Sequence, residues 1–236
     1  MIIGDGIVLG AGGETASIFV TGLSETDTIT ATNGSDTKIG VWTTKDSVSG
    51  FLIDKIKEYS TWTVVATNIT DTISETVLVD SASEYSIEMR YPQYLYRDGN
   101  YYTEITGGFY SNTSWWNTTN RGTATKNANN SITIACPNNY YFICYTTRNK
   151  IDVSNFSTLN LNVLSASWFG TGYRGMYLVS NPNDDSTSVV ERVNFDATGI
   201  HTMNVSNITG SYYVALYGNS QDSGACSMAF DKLWLE

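Results

Sequence analysis

Residues 61–67 read Thr-Trp-Thr-Val-Val-Ala-Thr, and residues 159–163 read Leu-Asn-Leu-Asn-Val. In both stretches apolar side chains alternate with polar ones, which is the pattern of a β-strand with one buried face. Similar alternation recurs along the chain, at residues 28–32, 85–91, 132–136 and 212–216. No stretch of the sequence shows apolar residues at helical spacing over a length that would predict a helix. The sequence therefore predicts an all-β protein.

The spacing of strand-like runs and turn signals divides the chain into four segments. Residues 1–13 form a Gly-rich lead. Residues 14–91 hold about seven short strands, as an immunoglobulin-like β-sandwich does. Residues 92–108 break the alternation with proline, glycine and clustered tyrosines, which indicates a connector. Residues 109–236 hold about eight further strands, which favours a jelly-roll β-sandwich.

The charge balance argues against two classes of partner, nucleic acid and anionic membrane lipid. The chain has 23 acidic and 13 basic residues and a formal net charge of −10. Binding to a nucleic-acid backbone needs a basic stripe, and so does adsorption to anionic lipid. Apolar runs fall well short of the ~20 residues of a membrane span. We expect no nucleic-acid partner and no membrane insertion.

Catalytic signals are weak. The chain has a single histidine, His201, in a strand-like run, although general acid–base catalysis at neutral pH most often uses histidine. The nucleophile-elbow, zinc-protease and phosphate-loop motifs do not occur. Two carboxylates that meet in space, as a glycosidase requires, remain an open alternative. We expect a binding protein rather than an enzyme.

Metal signals are also weak. Residues 181–186, Asn-Pro-Asn-Asp-Asp-Ser, could wrap Ca²⁺ with oxygen ligands, and Asp231 is a second candidate ligand. A solvated turn is the simpler interpretation of both. A single histidine and the absence of a Cys-x-x-Cys motif argue against zinc. We expect no cofactor, with Ca²⁺ as the alternative.

The three cysteines are Cys136, Cys144 and Cys226, so at least one has no partner within the chain. Residues 132–145 read as a hairpin around residues 137–139, which would pair residue 136 with 140. That register leaves Cys136 and Cys144 unable to bridge. The cysteines are predicted to be small buried hydrophobic residues.

Aromatic residues carry the clearest functional signal, with six Trp and sixteen Tyr. Two loops, within 109–120 and 167–175, place rings beside amides, arginines and glycines. An aromatic face covers the apolar C–H face of a sugar while polar side chains bind its hydroxyls. Packing of the rings at a subunit interface is the alternative. The predicted glycan contacts are Trp115, Trp116, Trp168 and Tyr173 by stacking, and Arg121 and Arg174 by hydrogen bonding.

Several stretches resemble virion proteins of tailed phages that infect Gram-positive bacteria. The lead at 3–13, Ile-Gly-Asp-Gly-Ile-Val-Leu-Gly-Ala-Gly-Gly, resembles their N-terminal segment. Residues 18–31 and 59–66 are similar to their Ig-like modules. Residues 151–159 and 230–235 resemble the galactose-binding-type jelly rolls that follow such modules. The resemblance implies a protein of the virion surface, on the tail, a fibre or the capsid.

These observations together predict a phage virion-surface protein without enzymatic activity. The lead would attach it to other virion proteins, and the jelly roll would bind host-surface glycan during adsorption. A homo-oligomer, trimeric by analogy with fibres, is expected. The first residues do not have the pattern of a secretory signal, which fits release by host lysis. The alternatives are a capsid decoration or head-fibre protein without a specific ligand, and a carbohydrate-binding module of a secreted protein.

Overall fold

The structure is a computed structural model of the chain. It describes residues 15–34, 36–81, 83–102, 109–111, 123–136, 141–167, 174–181, 188–194, 197–220 and 226–236. The chain divides into two compact units, Met1–Tyr91 and Pro92–Glu236. Regular structure in the described residues consists of β-strands arranged in sandwich-like sheets, with no helix. The all-β prediction is confirmed.

The first unit contains two four-stranded sheets. Their orders are β4-β5-β1-β8 and β3-β2-β6-β7. All pairs are antiparallel except β1 with β8, which is parallel. The strands are β1 (Thr15–Thr21), β2 (Thr28–Asn33), β3 (Asp36–Ile39), β4 (Val41–Lys45), β5 (Val48–Lys57), β6 (Ser60–Thr67), β7 (Thr72–Val79) and β8 (Glu84–Glu88).

The core of the first unit follows from the alternation along β6. Trp62, Val64 and Ala66 are fully buried, whereas Thr63 and Val65 between them point to the other face, Thr63 exposed and Val65 half-buried. The indole Nε1 of Trp62 donates to the carbonyl oxygen of Lys57 at 3.2 Å and to Oγ of Ser60 at 2.8 Å. Because the indole N–H has partners, this large ring can be buried without an unsatisfied donor.

The second unit contains a seven-stranded and a six-stranded sheet. Its strands in the described residues are β9 (Gln93–Arg97), β10 (Asn100–Tyr101), β11 (Phe109–Ser111), β12 (Thr123–Lys126), β13 (Ile132–Cys136), β14 (Tyr141–Thr147), β15 (Ile151–Asp152), β16 (Thr158–Ser167), β17 (Arg174–Val179), β18 (Val189–Asn194), β19 (Gly199–Asn204), β20 (Ser211–Ser220) and β21 (Cys226–Leu235).

One long strand organises each sheet of the second unit. Strand β21 pairs with β16 along one edge, and along the other it pairs with β13 and then with β9. Strand β20 pairs with β17 on one side and with β14 and β15 on the other. The main core of this unit includes Leu161 and Phe230 from the first sheet and Leu178 and Leu216 from the second, all buried.

The segment predicted to be a connector contributes two strands to the second unit. Strand β9 pairs with the C-terminal half of β21, and β10 pairs with β9. Leu95 and Tyr96 are both fully buried, although they are neighbours. A register shift between Leu233 and Trp234 leaves Leu95 as an extra residue on β9. Because this bulge disrupts the period of two, the local pattern does not read as a strand.

The hairpin predicted for residues 132–145 is wrong. Strand β13 pairs with β12 and β21, whereas β14 pairs with β11 and β20 in the other sheet. The chain therefore changes sheets between Cys136 and Tyr141. Alternation identifies both strands correctly, but a turn signal does not distinguish a hairpin from a crossing between sheets.

Candidate functional site

The loops predicted to bind glycan lie almost entirely outside the described residues. This applies to Trp115, Trp116, Arg121, Trp168 and Tyr173. Arg174 begins β17, where its register partner on β20 is Gly218. The proposed contacts of these six residues with glycan stay predictions.

The candidate calcium residues are only partly described, since residues 182–187 lie outside the described ranges. Asp231 accepts a hydrogen bond from Nδ2 of Asn162 at 2.8 Å. Within the described ranges, no three His, Cys, Asp or Glu side chains are grouped so as to hold a metal ion. The calcium site at 181–186 stays a prediction.

His201 lies on β19, in the strand-like run that the sequence indicated. Its Nε2 is 3.0 Å from the carbonyl oxygen of Ala197. The ring therefore contacts the backbone just before β19. The part of the chain that the structure describes contains no helix long and apolar enough to cross a membrane.

A different set of side chains comes together on the outer face of the seven-stranded sheet. Trp234 on β21 lies between Tyr94 on β9 and Asn160 on β16 in the register of the strands. Leu233 and Leu235, on either side of Trp234, are fully buried. Because successive side chains of a strand point to opposite faces, Trp234 and its register neighbours lie on the face away from the core.

Three rings on this face form what we call the aromatic row: Tyr102, Tyr94 and Trp234. The ring centroids of Tyr94 and Tyr102 are 6.3 Å apart, with the planes inclined by 40°. Those of Tyr94 and Trp234 are 6.5 Å apart, inclined by 41°. Tyr102 is 40% exposed, and the other two rings are partly exposed. The row therefore presents aromatic surface to solvent.

Arg97 adds a positive charge to the aromatic row. Its Cζ lies 4.4 Å from the centroid of the Tyr94 ring, within the ~6 Å range of a cation–π interaction. Its Nε also donates to Oδ2 of Asp98 at 3.1 Å. These two contacts hold the guanidinium group against Tyr94.

A polar network continues from the aromatic row onto the neighbouring strands. Oδ1 of Asn160 accepts a hydrogen bond from Oγ1 of Thr202 at 2.8 Å, and its Nδ2 donates to Oγ1 of Thr158 at 3.0 Å. Asn160 is only 4% exposed. Its side chain therefore links Thr158 and Thr202 by hydrogen bonds and has little surface of its own to offer a ligand. The accessible polar groups nearby are Asn162, paired with Asp231, and Lys232.

Tyr96 supports the aromatic row from the core side of β9. Its hydroxyl donates to the carbonyl oxygen of Asn130 at 2.5 Å, and its ring packs edge-on to Phe230 at 5.7 Å. Burial raises the pKa of Tyr96 to about 12, with smaller contributions from nearby Tyr101 and two carboxylates. The hydroxyl therefore stays protonated and keeps its hydrogen bond well above neutral pH.

Comparison with known proteins adds no family to this description: neither the protein-family models nor the curated proteins contain a match to the chain.

The sequence contained a signal for this site that the loop-centred interpretation did not use. Residues 233–235 read Leu-Trp-Leu. In a strand this order places the tryptophan on one face and the two leucines on the other. The clustered tyrosines at 94–102 lie in the segment 92–108 that the sequence predicts to be a connector. Their position beside Trp234 depends on the pairing of β9 with β21, which no local pattern encodes.

Proposed function

We propose that the protein is a virion-surface protein without enzymatic activity, and that its second unit binds glycan on the host surface. The observation that carries the glycan-binding proposal is the aromatic row on an accessible sheet face, with Arg97, Asn162 and Lys232 beside it. The rings would cover the apolar faces of sugar residues, and the polar side chains would bind hydroxyl groups.

The phage setting rests on the sequence resemblance described above. Sugar-binding surfaces of this size bind weakly when alone, so many copies on one particle would supply avidity. Attachment through the Gly-rich lead and assembly into an oligomer belong to the same proposal.

Binding is tested with the full chain on immobilised polysaccharide released from Gram-positive cell walls. The Tyr94→Ala, Trp234→Ala double variant is expected to bind at least about tenfold more weakly, because each stacked ring contributes about 1 kcal/mol. Tyr59→Ala is the matched control, since this tyrosine is 81% exposed on the first unit and its removal should leave binding unchanged.

A second double variant, Trp115→Ala, Trp168→Ala, separates the loop site from the aromatic row. Loss of binding only in this variant would move the site to the loops. If the wild-type chain does not bind even in multivalent display, the alternative function is favoured, a capsid decoration or head-fibre protein without a specific ligand. Release of reducing ends from the polysaccharide would contradict the non-enzymatic assignment.

A further inference from the structure

Cys136 and Cys226 lie opposite each other on neighbouring strands of the second unit. They are register partners in the antiparallel pair of β13 and β21, which also pairs Ile134 with Met228. Directly opposite residues in such a pair have Cα atoms about 4.5 or 5.5 Å apart. Both separations lie within the ~4.4–6.8 Å that a disulfide spans. We propose that Cys136 and Cys226 form a cross-strand disulfide under oxidising conditions.

The sheet face strengthens this assignment. Opposite residues of an antiparallel pair lie on the same face of the sheet. Ile134 and Met228, one period of two away from the cysteines, are 2% and 3% exposed. By the period of two, Cys136 and Cys226 belong to the same face of the sheet as this pair.

The third cysteine occupies a different position. Cys144 lies on β14, in the six-stranded sheet, and its register partner is Tyr217. The pairing of strands therefore selects one of the three possible cysteine pairs. Because β13 and β14 belong to different sheets, Cys136 and Cys144 are not cross-strand partners. The pairing of β13 with β21 makes Cys136 the partner of Cys226 instead.

The chemistry is a thiol–disulfide exchange. A thiolate of one cysteine attacks a low-molecular-weight disulfide such as oxidised glutathione, forms a mixed disulfide and releases one glutathione thiol. The second cysteine then attacks the mixed disulfide and releases the other glutathione. The chain loses two protons and two electrons, the S–S bond of glutathione is reduced, and one S–S bond forms in the protein.

The bridge would join strands that are distant in the sequence. It closes a loop that contains every strand from β14 to β20, and a disulfide that closes a long loop restricts the unfolded chain most strongly. It also fixes the start of β21, the strand that carries Trp234. For a unit of this size the oxidised chain should melt roughly 5–15 °C higher than the reduced chain.

The test uses the full wild-type chain, reduced and then equilibrated with oxidised glutathione. Thiols are counted in denaturant and expected to fall from three to one, and the unlabelled oxidised chain should lose 2 Da of mass. Trypsin leaves Cys136 and Cys144 in one peptide, residues 127–148. Chymotryptic cleavage at 140–142 is therefore added before the linked peptides are assigned by mass spectrometry.

Cys144→Ser is the matched control variant and should keep the linkage and the higher melting temperature. Cys136→Ser and Cys226→Ser should each lose both. A linkage that includes Cys144, or three thiols persisting after equilibration, would overturn the proposal. Because the wild-type chain carries the decisive measurement, the result does not depend on whether the serine variants fold.

Discussion

Trp234 on β21 and Tyr94 on β9 lie opposite each other in the register of the seven-stranded sheet, with ring centroids 6.5 Å apart. The residues are far apart in the sequence, and only the pairing of these two strands joins them. Arg97, three residues after Tyr94, places its guanidinium group over the same tyrosine. The aromatic row is thus a product of strand register.

The interaction of Arg97 with Tyr94 should be measurable in stability. Arg97→Met keeps most of the side-chain length and removes the charge, so the free energy of unfolding should fall by about 0.5–1 kcal/mol. Lys150→Met is the comparison, because Nζ of Lys150 lies farther from its ring, 5.7 Å from the centroid of Tyr213. Urea unfolding should show a smaller loss for Lys150→Met; equal losses would contradict the assignment.

Two neighbouring threonines make a matched pair. Thr146 and Thr147 are both fully buried. Oγ1 of Thr147 accepts a hydrogen bond from the backbone N–H of Val214 at 3.1 Å, whereas Oγ1 of Thr146 has no partner in the described part of the chain. Thr147→Val should cost about 1–3 kcal/mol, because it leaves a buried donor unpaired. Thr146→Val should be neutral or stabilising, as measured by urea unfolding. A larger loss of stability in Thr146→Val than in Thr147→Val would refute the hydrogen bond assigned to Thr147.

Two buried tyrosine hydroxyls should respond differently to removal. The hydroxyl of Tyr96 donates to Asn130, so Tyr96→Phe should lower the free energy of unfolding by about 1 kcal/mol. The hydroxyl of Tyr91 is buried without a partner among the described residues. Tyr91→Phe should therefore leave stability unchanged or raise it. Thermal melts of the two variants side by side test this, and a clear loss in Tyr91→Phe would reveal a missing partner.

The same two tyrosines predict a loss of stability at high pH. Burial raises the pKa of both Tyr91 and Tyr96 from the ordinary value of 10.0 to about 12; for Tyr91 the charges of Asp27 and Asp71 add to the effect. At a pH between 10.0 and about 12, the unfolded chain releases the phenolic protons of these two tyrosines while the folded chain keeps them. The stabilisation is complete below about pH 10 and is lost as pH rises towards 12.

Urea unfolding at pH 9, 10, 11 and 12 checks this dependence. The Tyr91→Phe, Tyr96→Phe double variant should lose less stability over this interval than the wild type does. Tyr59→Phe, which changes an exposed tyrosine, should follow the wild-type curve. Identical curves for the double variant and the wild type would rule out these two hydroxyls as the source.

Much of the secondary structure could be predicted from the sequence because a strand with one buried face repeats with a period of two. Leu159, Leu161 and Val163 are buried as their alternation indicates. The prediction failed at β9, where the bulge at Leu95 breaks the period. It failed again at residues 132–145, where two correctly recognised strands belong to different sheets.

The alternation and composition of the chain are enough to predict an all-β protein with a high content of aromatic residues and a net negative charge. These properties depend on composition and on contacts between near neighbours, which a linear pattern records. The positions of Trp234 beside Tyr94 and of Cys136 opposite Cys226 follow from strand pairing and are not encoded locally. Strand pairing joins residues far apart in the chain, and the hydrogen bonds of a β-ladder are made by backbone groups that every residue except proline shares. The choice of partner therefore depends on how the whole core packs.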